Sequence, residues 1–63
     1  MTVAQIEAEI ASTEKQITDI EISFGLPEIA SDRSEMAKVQ AQYDAKKREL
    51  DDLMAAWEAK AGE

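Results

Sequence analysis

The sequence predicts an all-α fold, an antiparallel two-helix coiled-coil hairpin, from three observations. Apolar residues recur in alternating steps of three and four in the first third of the chain, and again in its second half. This spacing keeps one seam of a helix against a partner helix. The only proline of the 63 residues, Pro27, stands between the two stretches. We expect a single unit over 1–63, with helix 1 at about 3–24, a tip at 25–32 and helix 2 at about 33–60.

Each predicted helix has a start signal. Thr2 and Gln5 have the spacing of a capping box, and Asp32 with Glu35 forms a second one, although Ser31 competes for the same role. Gly25 should end the first helix, because glycine can adopt the left-handed conformation of a helix C-terminus and Pro27, two residues later, forbids continuation. The residues from Pro27 onward could form one short turn of their own.

The two apolar series define the seam. In the first series Thr13 is the polar member, and in the second it is Lys46. The predicted seam and core residues are Ile6, Ile10, Ile17, Ile20, Phe24, Met36, Val39, Tyr43, Leu50, Leu53 and Trp57. The apolar stripe is about two positions in seven wide, which favours a two-stranded contact over a four-helix bundle.

A hairpin that closes around residue 30 would bring the two polar members together. This register places Thr13 opposite Lys46, a polar layer that would fix the alignment of the helices. Glu14 and Lys47 would flank the layer as an opposite-charge pair. The remaining predicted pairs are Phe24 with Met36, Ile17 with Tyr43, Ile10 with Leu50, and Val3 with Trp57.

Composition excludes several kinds of site. The chain has no Cys and no His, so we expect no disulfide, no metal site and no bound cofactor. It carries no phosphate-binding loop and no nucleophile elbow, and a hairpin offers no pocket to shift a carboxylate pKa, so we expect no catalytic residue. No stretch is long and apolar enough to cross a membrane. These features favour a soluble protein, and we expect a cytoplasmic location.

The net charge is −7, of which residues 1–31 carry −5. Such a charge opposes strong binding to phosphate backbones. Lys46, Lys47 and Arg48 form the only basic cluster and are the candidate contact to nucleic acid. The alternative is that Lys46 lies in the seam while Lys47 and Arg48 pair with glutamates of the first helix.

Two further groups of apolar residues also have two interpretations. Tyr43 and Trp57 could stack on bases, but their spacing of 14 residues favours the core. Ile22, Leu26 and Ile29 could form a contact site at the tip or could close the end of the seam.

The sequence resembles the C-terminal coiled-coil domain of ABC-F proteins, the Uup-like class with duplicated ATP-binding cassettes. The resemblance runs over about residues 4–60, through IEAEIASTEKQITDIE, GLPEIASD and MAKVQAQYDAKKRELDDLMAAWE. Its most discriminating parts are the tip at Pro27 and the terminal Trp57-Glu58. Two positions depart from the family's pattern. Gly25 stands where Ala or Ser is usual, and Ala30 stands where Tyr is usual.

The resemblance implies a non-catalytic accessory domain of an ATPase that binds ATP in its cassettes, outside this chain. It further implies contact with DNA, ribosomal RNA or the ribosome, which the charge would make weak. The alternative is a stand-alone hairpin that homodimerises or binds a protein partner through its tip. We expect a monomer, with a homodimer as the alternative.

Overall fold

The computed structural model describes residues 1–62 as two long helices joined by a short helical tip. The helices are α1 (Val3–Phe24), α2 (Pro27–Ala30) and α3 (Arg33–Ala61). α1 and α3 pack against each other in a rod of 48 × 14 × 13 Å. The predicted all-α hairpin is thereby confirmed. Glu63, the last residue of the predicted unit, lies outside the described residues.

Both predicted start signals form the expected hydrogen bonds. The Gln5 amide donates to Thr2 Oγ1 at 3.1 Å, and the Thr2 amide donates to Gln5 Oε1 at 2.8 Å. Asp32 Oδ1 accepts from the Ser34 and Glu35 amides at 3.0 and 3.1 Å. These bonds satisfy amides that have no partner within a helix. Asp32 is therefore the N-cap of α3, and Ser31, its competitor, follows α2 as the C-cap.

Gly25 is the C-cap of α1, as predicted, but it does not adopt the left-handed conformation that glycine permits. Its φ and ψ are −87° and −7°, in the right-handed region, and no residue of the described part has a positive φ. The chain instead leaves the helical conformation at Leu26, whose φ and ψ are −74° and 129°. Leu26 precedes Pro27, and a residue before proline is driven to extended backbone. The proline thus both ends α1 and begins α2, where its missing N–H is harmless.

The core is one side chain thick. Ile6 and Thr13 are each 2% exposed, and Ile17 and Val39 are also buried. The other predicted seam residues are half-buried: Ile10, Ile20, Phe24, Met36, Tyr43, Leu50, Leu53 and Trp57. A two-helix hairpin has no third layer to cover its seam, so partial exposure of large side chains follows from the architecture.

The predicted register needs correction. The rings of Phe24 and Tyr43 contact edge to face, with their centroids 5.8 Å apart and an interplanar angle of 72°. The prediction paired Phe24 with Met36, seven residues earlier in α3. At the open end, where α1 begins and α3 ends, Trp57 and Ile10 line one groove. The prediction had paired Trp57 with Val3. In both places α1 contacts later residues of α3 than predicted.

Two physical causes account for this displacement. First, α2 contacts both long helices, and α3 more than α1. The first turns of α3 therefore contact the tip, and α1 meets α3 further along. Second, helical side chains point toward the N-terminus of their own helix. In an antiparallel pair Phe24 leans away from the tip and Tyr43 leans toward it. Their rings therefore meet although their backbone positions differ along the axis of the hairpin.

Candidate interaction surfaces

The three consecutive basic residues do not form one surface. Successive residues of an α-helix are rotated by about 100° around its axis, so Lys46, Lys47 and Arg48 point in three directions. Lys46 is half-buried beside the seam, and its ammonium lies 3.1 Å from Glu49 Oε2. The side chain of Lys46 is thus committed to a neighbour on α3 and is a weak candidate for an external contact.

Lys47 contacts an aromatic ring rather than a glutamate. Its ammonium lies 5.9 Å from the centroid of the Tyr43 ring, within the range of a cation–π interaction. The ion pairs of the part described, residues 1–62, are Lys38–Glu35 and Lys46–Glu49, so the predicted pair between Glu14 and Lys47 does not form.

Arg48 is exposed and also forms no ion pair within residues 1–62. The expectation that Lys47 and Arg48 pair with glutamates of the first helix is therefore wrong. These two side chains keep their charges accessible on adjoining faces of α3. Chemically, they can donate to phosphate or carboxylate oxygens of a partner.

A shallow groove lies near the open end of the hairpin. It has a volume of about 270 Å³ and is lined by Glu7, Ile10, Ala11, Glu14, Met54 and Trp57. Ile10 and Trp57 are half-buried, and the side chain of Met54 is 45% exposed. The seam pattern assigned Trp57 to the core and overlooked this groove. Two signals could have revealed it: Met54 falls outside the seam, and Glu7 and Glu14 are one heptad apart.

The apolar residues of the tip divide into two sets. Ile29 is half-buried, whereas Ile22 is 61% and Leu26 39% exposed. Closing the end of the seam was one of the two interpretations for these residues, and it fits Ile29 but not Ile22. The tip therefore presents apolar surface to solvent.

The described residues offer no metal site and no membrane span. Among them, no group of three or more acidic side chains could hold a metal ion. Neither long helix of residues 1–62 is apolar enough to cross a bilayer. What the hairpin presents is a set of surfaces: two exposed cations on α3, a groove at the open end and an apolar tip.

Comparison with known proteins identifies the family. A family model described as the ABC transporter C-terminal domain matches residues 2–59, nearly the whole hairpin. The chain belongs to this family. No curated protein and no solved structure matches it.

Membership makes the hairpin an accessory domain of an ABC protein, which fits the expectation of a non-catalytic chain. In this ABC transporter C-terminal domain the matched range includes both capping signals, the seam and Trp57. The surfaces described above are accordingly surfaces of an accessory domain.

Proposed function

We propose that this chain is the C-terminal arm of an ABC-F protein with duplicated cassettes, and that it contacts nucleic acid. The cassettes would bind and hydrolyse ATP, and the arm would reach DNA or ribosomal RNA in the cytoplasm. The observation that carries the proposal is the combination of a rod 48 Å long with two exposed cations, Lys47 and Arg48, on adjoining faces of α3. Family membership supports the attachment to an ABC protein.

The charge of the arm sets the strength of the proposed contact. Two cations on a chain of net charge −7 can neutralise about two phosphates, and non-specific affinity rises with the number neutralised. The contact would therefore be weak and sensitive to salt. It would position a complex held together mainly by other parts of the protein.

The first test is the intact mass of the endogenous polypeptide, captured with an antibody against this segment. A species many times larger than 7.0 kDa that contains two cassettes is expected. A species of about 7.0 kDa contradicts the assignment to a duplicated-cassette protein.

The second test compares charge reversals in that full protein. The variant Lys47→Glu/Arg48→Glu should weaken co-sedimentation with ribosomes, or retention of labelled DNA, and should reduce the salt dependence of binding. ATP hydrolysis measured without nucleic acid should stay unchanged.

The matched control is Lys38→Glu/Lys60→Glu, which changes the charge of the same helix equally at exposed positions. Equal weakening by both double variants would show a general charge effect and would contradict a contact at Lys47 and Arg48.

A second candidate function is binding of a protein partner through the tip. The exposure of Ile22 and Leu26 favours it, because side chains of this size are usually covered when they lie close together at one end of a molecule. Leu26→Glu should then abolish partner binding and leave the melting temperature unchanged. Retained binding by a folded Leu26→Glu variant would exclude the tip.

A further inference from the structure

We infer that the groove at the open end binds a basic, apolar peptide segment of a protein partner, with an arginine side chain as its anchor. The inference does not depend on nucleic-acid contact, which concerns Lys47 and Arg48. It rests on the chemistry of the groove lining, on the charge of α1 and on the distance between two glutamates.

The groove has an apolar lining with two glutamates of α1 beside it. Ile10, Ala11, Met54 and the Trp57 indole supply the apolar surface, and Glu7 and Glu14 supply the carboxylates. Both glutamates are exposed, and neither forms an ion pair within residues 1–62. An indole face attracts a cation, and carboxylates accept hydrogen bonds from a guanidinium, so the lining matches an arginine with an aliphatic stem.

The spacing of the two carboxylates favours a peptide with two basic side chains over a metal ion. Glu7 and Glu14 are seven residues apart on one helix, which is roughly 10 Å along its axis. A cation of the calcium type needs its oxygen ligands within about 2.6 Å, so it cannot bridge them. A peptide that lies along the groove can reach both with two basic side chains, while its apolar residues contact Ile10 and Met54.

Charge also disfavours the other large occupants. Residues 1–31 carry −5, so a second copy of this chain would bring the same acidic surface toward the groove. Glu7 and Glu14 repel nucleic acid and anionic lipid from the groove itself for the same reason. A basic segment is the occupant whose charge complements this end of the hairpin.

The experiment uses the 63-residue chain and two synthetic peptides. Both are blocked at their termini and have the sequence Leu-Arg-Leu-Leu-Arg-Leu, but in the second citrulline replaces each arginine. Citrulline keeps the shape of arginine and removes its charge. Trp57 is the only tryptophan, so its fluorescence reports directly on the groove. We expect a saturable change with the arginine peptide and a much weaker one with the citrulline peptide.

Two double variants locate the site. Glu7→Gln/Glu14→Gln should weaken binding of the arginine peptide by about three- to tenfold, as expected for two exposed charge contacts. Glu9→Gln/Asp52→Asn removes the same charge at exposed positions outside the groove and should change the affinity by less than about twofold. Circular dichroism checks that both variants remain helical.

Three results would overturn the inference. The first is the absence of a saturable fluorescence change with the arginine peptide. The second is equal affinity for the arginine and citrulline peptides, which would leave only apolar contact. The third is equal weakening by the two double variants, which would show attraction to the acidic chain as a whole rather than to the groove.

Discussion

Thr13 and Lys46 show how differently two polar residues of one seam are accommodated. Thr13 is only 2% exposed, as buried as Ile6, because its short side chain fits between the helices. Lys46 keeps 33% of its side chain exposed and carries its ammonium out to Glu49. A lysine at a seam position buries its stem and keeps its charge in water. The seam pattern located both residues but could not show this difference.

Replacement of Lys46 by leucine should stabilise the hairpin. Lys46→Leu loses an exposed ion pair worth a few tenths of a kcal/mol and gains apolar burial worth about 1 kcal/mol. The melting temperature should rise by a few degrees, since about 1 kcal/mol corresponds to roughly 4–8 °C for a domain of this size. Lys38→Leu is the matched control, because Lys38 also pairs with a glutamate of α3 but is 68% exposed, and it should give no rise. A lower melting temperature for Lys46→Leu would place residue 46 outside the seam.

Two isoleucines of α1 should respond oppositely to truncation. Ile17 is buried at 6% exposure, so Ile17→Ala should destabilise the fold by about 2–4 kcal/mol. Ile22 is 61% exposed, and Ile22→Ala should change the free energy of unfolding by less than about 0.5 kcal/mol. Urea titrations followed by circular dichroism measure both. Comparable losses in the two variants would contradict the orientation of α1.

At the scale of the helices, the prediction agrees with the structure at the two N-caps, where the physical role of the side chain is unambiguous. The side-chain oxygens of Thr2 and Asp32 fit the N-cap, and both caps form as expected. Gly25 ends α1 as predicted but in the right-handed region, because glycine permits the left-handed conformation without requiring it. The register was misjudged because α2 displaces the contact between α1 and α3, and seam spacing carries no information on the packing of a tip.

The right-handed conformation of Gly25 leads to a stabilising substitution. A Cβ at this position would lie 3.5 Å from the Ile22 carbonyl oxygen, an ordinary contact. Gly25→Ala should therefore raise the free energy of unfolding by about 0.4–1 kcal/mol, because alanine restricts the unfolded chain. A left-handed Gly25 would give the opposite sign. Thermal unfolding of the two proteins decides between these conformations.

The N-cap of α3 should depend on the acceptor oxygen of Asp32 rather than on the negative charge of its carboxylate. Asp32→Ala removes the oxygen that binds the Ser34 and Glu35 amides and should destabilise the fold by about 1 kcal/mol. Asp32→Asn keeps an acceptor oxygen and should lie much closer to the parent protein. Urea titration of both variants tests this order, and equal losses would contradict a capping role for that oxygen.

At the scale of the whole molecule, the seam pattern predicts the rod but does not predict the surfaces that the rod presents to solvent. Heptad spacing specifies one line of contact, and two helices joined by a short tip can satisfy it as a hairpin. The groove escaped sequence reasoning because it depends on which residues of α3 stand beside Glu7 and Glu14, which is a matter of register. The divergence of Lys46, Lys47 and Arg48 was available from helical geometry, but the contact of Lys47 with Tyr43 was not.

The hairpin should unfold as a monomer. Its seam is satisfied within one chain, and its acidic first half opposes self-association. The melting temperature should therefore stay constant over an about hundredfold range of protein concentration, whereas a dimer would melt at higher temperature as concentration rises. Circular dichroism in cells of different path length covers that range.

The position of the first and last turns has a mechanical consequence. Val3 and Ala61 both lie at the open end of a rod 48 Å long, and the tip lies at the other. The hairpin would therefore act as a lever, in which a rotation imposed at the open end displaces the tip. A tilt of about 10° at the open end, typical of a hinge movement, sweeps the tip through about 8 Å.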